Sequence, residues 1–583
     1  MKSKKQKFKQ VELQIDTVKQ DIIFDWLTVF VLLVIGVYQS FILFGHKVVP
    51  ISDFPTIILT GHEILEFKCP STFKMAPLTG MLQIAFGKIA GGRFPDLKGG
   101  WLLNATLHPL NLILFWLIGK KIIGKTAIWF AIICAMTPWV LYMLREPLVE
   151  TPLLFFVLLT TYLIYRRTSW AYLAASMATM VRYESAALIF AAFVMDMIYK
   201  KTKKEKLIAF GYSAFASVPL GLWLWGTFLH SDTLAGHYFS VFTKEYGQNF
   251  SEPVENRTGI IKHLELIWNV GFRPLFIIDP ASSREAFDIL WAVSKFMAST
   301  TFIFGAIYGL LKKNWQILVL LIFFVPYFLL HAYYPYPIPR FHSTSFWIAL
   351  LISLFGLKQF WLIVKDKLKL PIPMIRICQI AVLFIAVLSI IPLVSYLNRL
   401  TAICQAVKYL PFVVIFAFVL IVLVMGIIYK AKYIFPNLAT AAVMVLIVLS
   451  SQFSIAPLLG DGKQDVEFKY LADWFVDNAK SDEKMAVYMV GVVKIFAPEI
   501  ETCFVGFPSA DSPQELVEKL RQERITYVVW ASREGLSRDH YGYHKQKLDT
   551  NIPFLAAPKD NGPYKFVTQI KRERGLVNIF RLE

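Results

Sequence analysis

Charged residues are scarce in this chain of 583 residues: they make up 17% of it, whereas a soluble globular protein carries about 25%. Hydrophobic residues account for 56%, and the mean hydropathy is +0.53. This shortage of charge excludes an ordinary soluble globular protein and predicts a polytopic α-helical membrane protein. The abundance of Phe, Tyr and Trp fits that prediction, because aromatic rings collect at the two membrane interfaces.

Cysteines are few, and their spacing excludes two common kinds of site. The five cysteines are scattered without any CxxC pair, which predicts neither a zinc site nor a disulfide framework. The chain also lacks glycine-rich phosphate loops of the GxGxxG or GxxxxGKS type, so no nucleotide site is predicted. No internal repeat is visible, which argues against the inverted-repeat transporter folds.

The basic residues indicate a membrane rather than a nucleic acid as the partner of this chain. The net charge is +19, but Lys and Arg occur mostly in short clusters between hydrophobic segments. Such clusters set the topology of a membrane protein and contact anionic lipid headgroups. We therefore expect membrane lipids as partners and no nucleic acid.

Hydrophobic segments of suitable length predict about 13 transmembrane helices, with the N-terminus inside and the C-terminus outside. The segment 76–91 is best placed flat on the outer surface as an interfacial helix, because the later basic clusters then all fall inside. The short segments 170–181 and 183–199 could instead form one long tilted helix. The predicted crossings are 22–44, 101–119, 126–144, 150–165, 170–181, 183–199, 207–229, 290–311, 316–334, 342–362, 377–396, 406–429 and 434–456.

This pattern divides the chain into three parts. Residues 1–21 form a basic cytoplasmic N-terminus, and residues 22–460 form the transmembrane domain, with external loops at 45–100 and 230–289. Residues 461–583 alternate helix-like pieces, such as "SPQELVEKLRQE", with strand-like pieces, such as "ITYVVWA" and "VNIFRL". They predict an external soluble α/β domain.

The first external loop carries an acid and a cation close to the membrane surface. Asp53 comes first, and Lys74 stands three residues before Pro77, at the start of the interfacial helix. A lysine there can pair with a phosphate attached to a lipid, and a carboxylate can take a proton from an incoming nucleophile. The structural alternative is that Asp53 caps a helix and Lys74 extends to lipid headgroups. The polar side of that helix supplies three further candidates: His62, Glu63 and Glu66.

Other outer turns add further charged candidates. "MLREPLVETP" (143–152) carries Glu146 and Glu150, which could face Asp53, orient an acceptor or hold a divalent cation. Arg182 interrupts apolar sequence beside Glu184, either as an ion pair at a hairpin tip or as a buried arginine facing the same cavity. Arg340 suits bidentate phosphate binding. Two histidines in outer regions complete the set: His237 and His342.

These motifs, in this order, resemble the type C glycosyltransferase superfamily. The resemblance is to the polyprenyl-phosphate-sugar-dependent branch, which contains the protein O-mannosyltransferases and the aminoarabinose transferase of lipid A. Its first-loop Asp-Glu pair is similar to Asp53-Phe54 here, and its Lys-Pro-Pro-Leu element to the stretch from Lys74 to Leu78. The second acid and one proline are absent. The family's Arg-Tyr turn resembles Arg340-Phe341.

The resemblance implies a GT-C fold and an inverting transfer of a hexose or pentose from a polyprenyl-phosphate donor. Asp53 would be the general base, with Lys74, Arg340 and Arg182 binding phosphate and Glu146 and Glu150 assisting. Mg²⁺ or Mn²⁺ is possible, with Asp53 and Glu146 as ligands, and the acceptor could be a protein, a lipid or a glycan. The implied location is a bacterial plasma (inner) membrane, with the site on the external side. The alternatives are a transporter or flippase of lipid-linked glycans, a polymerase, and an inactive scaffold.

Overall fold

The computed structural model of the chain describes residues 2–50, 53–73, 75–229, 285–333, 344–368, 465–487, 489–533, 552–572 and 575–583. Four predicted site residues lie outside the described residues: Lys74, His237, Arg340 and His342. The predicted crossings 377–396, 406–429 and 434–456 lie outside them as well, as does most of the predicted external loop 230–289.

Helices, most of them apolar, make up the described structure as far as Leu368. Among the described residues, four helices are long and apolar enough to cross a membrane, or five if one bent pair counts as a single span. This confirms the predicted polytopic helical class. The helices are α1 (Lys2–Leu43), α2 (Asp53–Leu65), α3 (Leu78–Ala90), α4 (Pro95–Ile123), α5 (Ala127–Met136), α6 (Pro138–Arg145), α7 (Glu150–Tyr165), α8 (Trp170–Val181), α9 (Ala187–Tyr199), α10 (Lys203–Leu229), α11 (Glu285–Leu311), α12 (Trp315–Tyr333) and α13 (Phe346–Leu368).

The predicted crossing 126–144 is two helices rather than one. Thr137, between α5 and α6, has an extended backbone (φ −66°, ψ 125°). The ring of Pro138 disfavours a helical conformation in the preceding residue, so the helix breaks there. α6 and α7 then meet at 118°, which places a tight turn at the predicted outer face.

The segments 170–181 and 183–199 form two helices, so the alternative of one long tilted helix is wrong. Arg182 is extended (φ −152°, ψ 124°), and a 3₁₀ turn, Tyr183–Ala186, follows it before α9 begins. α8 contacts both this turn and α9, so the chain folds back on itself here. The break directs Arg182 and the turn after it away from the helix axis.

The first external loop contains two short helices, as the sequence predicts. α2 and α3 have 13 residues each, or about 20 Å, which is too short for a hydrocarbon core of about 30 Å. They cross closely, because a Cβ on Gly80 would lie 2.1 Å from the carbonyl oxygen of Ile57 and one on Gly61 would lie 2.5 Å from the Gly80 carbonyl carbon. α3 also packs along α4. The two glycines thus join α2 to the membrane helices.

The described end of the chain is an α/β domain built on a mixed sheet, in agreement with the predicted class. Its strand order is β2-β1-β3-β5-β4, with β1 parallel to β2 and β3, and β5 antiparallel to β3 and β4. The predicted boundary at 461 lies outside the described residues. The elements are α14 (Val466–Asn478), β1 (Met485–Ala486), α15 (Val490–Phe496), β2 (Phe504–Val505), α16 (Pro513–Gln522), β3 (Tyr527–Arg533), β4 (Tyr564–Arg572) and β5 (Gly575–Leu582).

This domain packs directly on the segment predicted to be the first external loop. The rings of Phe94 and Phe496 meet edge to face, with centroids 5.2 Å apart. Beside them, Arg93 Nη2 donates to Asp473 Oδ1 at 2.8 Å. A single buried apolar cluster runs from the membrane helices into α14 and α15. This cluster therefore joins one side of the C-terminal domain to the helices, and a second apolar cluster lies within the domain itself.

Candidate functional site

The turn between α6 and α7 is held from two neighbouring helices. Gln83 of α3 donates its side-chain N–H to the carbonyl of Pro147 at 2.8 Å. Asn104 of α4 donates to the carbonyls of Glu146 at 2.6 Å and Met143 at 3.1 Å. Pro147 has no backbone N–H and so cannot donate to a carbonyl of the preceding turn. The side-chain amides of Gln83 and Asn104 supply donors to the carbonyls of this turn instead. The turn is therefore fixed by the surface helix and the membrane core together.

Glu146 lies buried between two cations. Its Oε1 accepts from Lys47 Nζ at 3.1 Å and from Arg145 Nη2 at 3.1 Å. All three residues are at most 4% exposed. Glu146 Oε2 has no hydrogen-bond partner among the described residues. Burying charge is costly, and removing one partner of a buried pair leaves the other charge uncompensated, so these three groups depend on each other.

Sequence reasoning missed Lys47, although a signal for it was present. Lys47 lies four residues beyond the end of α1, on the side predicted to be external. Basic residues close to a crossing favour the cytoplasmic side. A lysine at the outer end of a crossing is therefore expected to be paired with an acidic side chain. Glu146 is that partner. Gln83 and Asn104 were also missed, and isolated amides within apolar helices gave no comparable sign.

Asp53 begins α2, and the side chain of the residue after it packs near the Glu146–Pro147 turn. The ring of Phe54, the next residue, is 1% exposed. A Cβ on Gly100 would meet Phe54 Cε2 at 3.4 Å and Pro147 Cβ at 2.6 Å. The Phe54 ring and the Pro147 side chain therefore pack against the same point of α4, and the facing of Asp53 by Glu146 or Glu150 stays a prediction. Asp53 itself is half-buried.

A second buried polar group surrounds Tyr327 of α12. Arg182 donates to Glu184 through Nη2 at 2.5 Å and Nε at 3.2 Å, and these two side chains are only 12% and 4% exposed. Tyr327 lies within electrostatic range of this pair and of Glu150, which is 3% exposed. Its hydroxyl shares a hydrogen bond of 2.8 Å with Thr344. Arg182 is therefore ion-paired at the break between α8 and α9, as the first interpretation has it, and its facing of the same cavity as Asp53 stays a prediction.

Each of the three polar candidates at the end of α2, His62, Glu63 and Glu66, has a hydrogen-bond or ion-pair partner. His62 Nε2 lies 2.8 Å from Asp96 Oδ2, and Glu63 Oε2 accepts from the backbone N–H of Ser71 at 2.9 Å. Glu66 pairs with Lys68 at 2.6 Å, and this hydrogen bond and charge lower the carboxyl pKa. These contacts order the end of α2 and the start of the connection to α3.

The predicted metal ligands do not form a metal site in the described part of the chain. No group of three or more His, Cys, Asp or Glu side chains there could hold an ion. Glu146 is moreover already neutralised by Lys47 and Arg145. A divalent cation bound at Oε2 would lie close to the ammonium and guanidinium groups on Oε1 and be repelled by both, so the surroundings of Glu146 disfavour the role of metal ligand.

This arrangement of helices and external domain is similar to that of solved membrane transferases. ArnT from Cupriavidus metallidurans bound to undecaprenyl phosphate matches with a TM-score of 0.52 and 11% identity, over 94% of this chain and 97% of that one. The chain has the ArnT fold. The apo form of ArnT matches with a TM-score of 0.50 and 11% identity, over 97% of this chain and 98% of that one.

The archaeal oligosaccharyltransferase from Archaeoglobus fulgidus, in its apo form, is also similar, with a TM-score of 0.46 and 11% identity over 86% of this chain and 69% of that one. No protein-family model and no curated protein matches the sequence. The ArnT match confirms the predicted fold class of a helical membrane protein with a C-terminal α/β domain. At 11% identity, the activity has to be argued from the residues.

Proposed function

We propose that this protein is a membrane glycosyltransferase that moves a sugar from a polyprenyl-phosphate donor to an acceptor on the outer face. The observation that carries the proposal is the burial of Lys47, Arg145 and Glu146 beside the start of α2. Ionised groups buried at the end of a membrane bundle are costly and tend to mark functional sites. The ArnT fold supports this proposal, because that protein was solved with undecaprenyl phosphate bound.

The proposed reaction is a direct displacement at the anomeric carbon. The acceptor oxygen forms a bond to that carbon while the bond to the phosphate oxygen breaks, so the configuration inverts. The acceptor proton passes to Asp53, and the electron pair of the broken bond leaves with the polyprenyl phosphate. Negative charge grows on that phosphate in the transition state, where fixed cations stabilise it.

Each candidate residue has a place in this proposal. Lys74 and Arg340 bind the leaving phosphate, with Arg182 nearby. Lys74 directly follows Phe73, and Arg340 stands four residues before Thr344 of the Tyr327 group. Glu146 holds Lys47 and Arg145 through Oε1, and its Oε2 orients the acceptor. Glu150, at the start of α7, assists from the same turn.

The remaining candidates and the location of the site complete the proposal. His62, Glu63 and Glu66 order the end of α2 through their contacts with Asp96, Ser71 and Lys68. His237 and His342 are proposed as further contacts to the sugar or the acceptor. We place the protein in a bacterial plasma membrane, with α2 and the C-terminal domain on the external side. The acceptor is a protein, a lipid or a glycan.

We infer that Lys and Arg side chains, rather than Mg²⁺ or Mn²⁺, neutralise the leaving phosphate. The reason is the pairing of Glu146 with two cations. Chelation with EDTA should then leave the rate unchanged. A rate that falls with EDTA and recovers with Mg²⁺ or Mn²⁺ would assign the role to a metal.

The test uses the full chain in lipid vesicles with a panel of undecaprenyl-phosphate-linked hexoses and pentoses. The readouts are release of undecaprenyl phosphate and transfer of labelled sugar. Asp53→Asn should lower the rate by about 10² to 10⁴, the scale of a lost general base, without changing expression or donor binding. Near-normal turnover in that variant would remove Asp53 from the role. Uptake of the intact labelled donor without bond cleavage would instead indicate a flippase.

A further inference from the structure

The connection between α2 and α3 is attached to α10, a helix that otherwise has few buried side chains. Only 17% of the apolar span of α10 is buried. Its buried residues recur along one face, as Ala209, Ala216, Trp223 and Thr227. The last two lie near its predicted outer end. That end therefore has a specific contact, whereas most of the helix surface is exposed and suited to lipid.

That contact is made by Phe73. The Phe73 and Trp223 rings have centroids 4.9 Å apart and are tilted by 57°. Phe73 is 6% exposed and Trp223 is 7% exposed. A Cβ on Gly226 would lie 2.4 Å from Phe73 Cε1 and 2.7 Å from Cζ. The Phe73 ring thus occupies the space that any side chain at position 226 would need.

The rest of the connection is held as well. Its start is bound to α2 through the hydrogen bond from Ser71 N–H to Glu63. Its end is buried at Ala76 and Pro77, immediately before α3. α10 also contacts the turn Tyr183–Ala186, which carries Glu184, the partner of Arg182. α10 therefore contacts both the first-loop connection, through Phe73, and the turn that carries Glu184.

We propose that Phe73 and Gly226 are positioning residues that fix the α2–α3 connection against α10. The inference rests on the proposed function, because the connection includes the proposed phosphate-binding residue, Lys74. A glycine at 226 leaves room for the ring, and the ring fixes the backbone next to Lys74. Small displacements of a positioned group lower turnover far more than they lower binding.

Two other glycines of α10 provide matched controls. A Cβ at Gly211 or Gly221 would meet nothing within 4 Å among the described residues. Alanine favours a helix over glycine at every interior position. Gly221→Ala and Gly211→Ala should therefore be neutral, whereas Gly226→Ala forces the Phe73 ring out of its place. A fall in kcat that occurs only with Gly226→Ala therefore comes from the Phe73 contact and not from a change in helix propensity.

The experiment compares these variants with Phe73→Ala and with the double variant Phe73→Ala/Gly226→Ala. The readouts are kcat and donor KM from undecaprenyl phosphate release, and tryptic cleavage between α2 and α3. We expect Gly226→Ala to lower kcat about tenfold or more with a smaller change in KM, and to speed that cleavage. The double variant should have the same kcat as Phe73→Ala, because the alanine at position 226 no longer meets a ring at position 73.

Three results would overturn or redirect the inference. Wild-type kcat and wild-type cleavage in both Gly226→Ala and Phe73→Ala would make the contact ordinary packing. Equal losses in Gly226→Ala and Gly221→Ala would point to the helix itself. If the wild-type protein releases no undecaprenyl phosphate from any donor, the proposed function fails, and the tryptic comparison still tests the contact. Should Gly226→Ala not insert into membranes, Phe73→Ala and Phe73→Leu carry the same comparison.

Discussion

Lys47 Nζ lies 3.1 Å from Glu146 Oε1, and this ion pair joins the chain just after the first crossing to the turn between α6 and α7. The two residues are far apart in sequence and both buried. Arg145 binds the same oxygen at 3.1 Å. The pair therefore fixes the chain that leads from α1 into α2 against the acidic turn.

This three-residue group predicts an order of stabilities. Glu146→Gln removes the carboxylate that both buried cations bind, whereas Lys47→Met leaves Glu146 with Arg145. Removing one partner of a buried pair costs about 3–5 kcal/mol, so Glu146→Gln should lower the apparent melting temperature more than Lys47→Met does. The double variant should be more stable than Glu146→Gln alone. Thermal unfolding in lipid nanodiscs measures the order, and equal, additive losses would show that the three charges do not interact.

The C-terminal interface predicts a different ranking. Phe496 is buried against Phe94, whereas Arg93 and Asp473 form a pair with side chains 62% and 31% exposed. Truncating a buried Phe costs about 3–5 kcal/mol, and an exposed ion pair contributes about 0–1 kcal/mol. Phe496→Ala should speed proteolytic release of the C-terminal domain, and Asp473→Asn should not. If both variants match the wild type, the domain is not held through this contact.

The predicted orientation of the chain is tested with reporters fused after residue 95 and after residue 460. Lys120, Lys121 and Lys125 fall inside only if α3 does not cross the membrane. Both fusions should therefore report an external location. A cytoplasmic signal at the first site would move Asp53 and the acidic turn to the other face and contradict the proposed outer reaction. A fusion after residue 203 is the internal control.

The sequence was informative where a local rule was sufficient. Asp53 at the start of a short surface helix and the acidic turn at 143–152 both follow from the spacing of prolines and charges. The break at Thr137 was missed, although Pro138 predicts it through the same steric rule. The Lys47–Glu146 pair and the Phe73–Gly226 contact could not be predicted. Each joins residues about 100 or more positions apart, and only the packing of the helices brings them together.

The last prediction separates two roles for Arg182. The guanidinium binds Glu184 through Nη2 and Nε, a bidentate arrangement that lysine cannot reproduce. If Arg182 also contacts the donor phosphate, Glu184→Gln removes a competing carboxylate and should strengthen binding of undecaprenyl phosphate. Arg182→Met should weaken it by about tenfold to a hundredfold, for the loss of one charged hydrogen bond of about 1.5–3 kcal/mol. The affinity of Arg182→Lys for undecaprenyl phosphate should lie between those of the wild type and Arg182→Met.

Undecaprenyl phosphate affinity is measured by titration of the protein in nanodiscs, and the melting temperature of each variant is measured in parallel. A purely structural ion pair gives another pattern, because Arg182→Met and Glu184→Gln each leave a buried charge without its partner. Both variants would then have a lower melting temperature, and their affinity for undecaprenyl phosphate would change in the same direction. Opposite shifts in affinity assign Arg182 to the phosphate, since only a competition between carboxylate and phosphate for one guanidinium makes removal of the carboxylate favourable to binding.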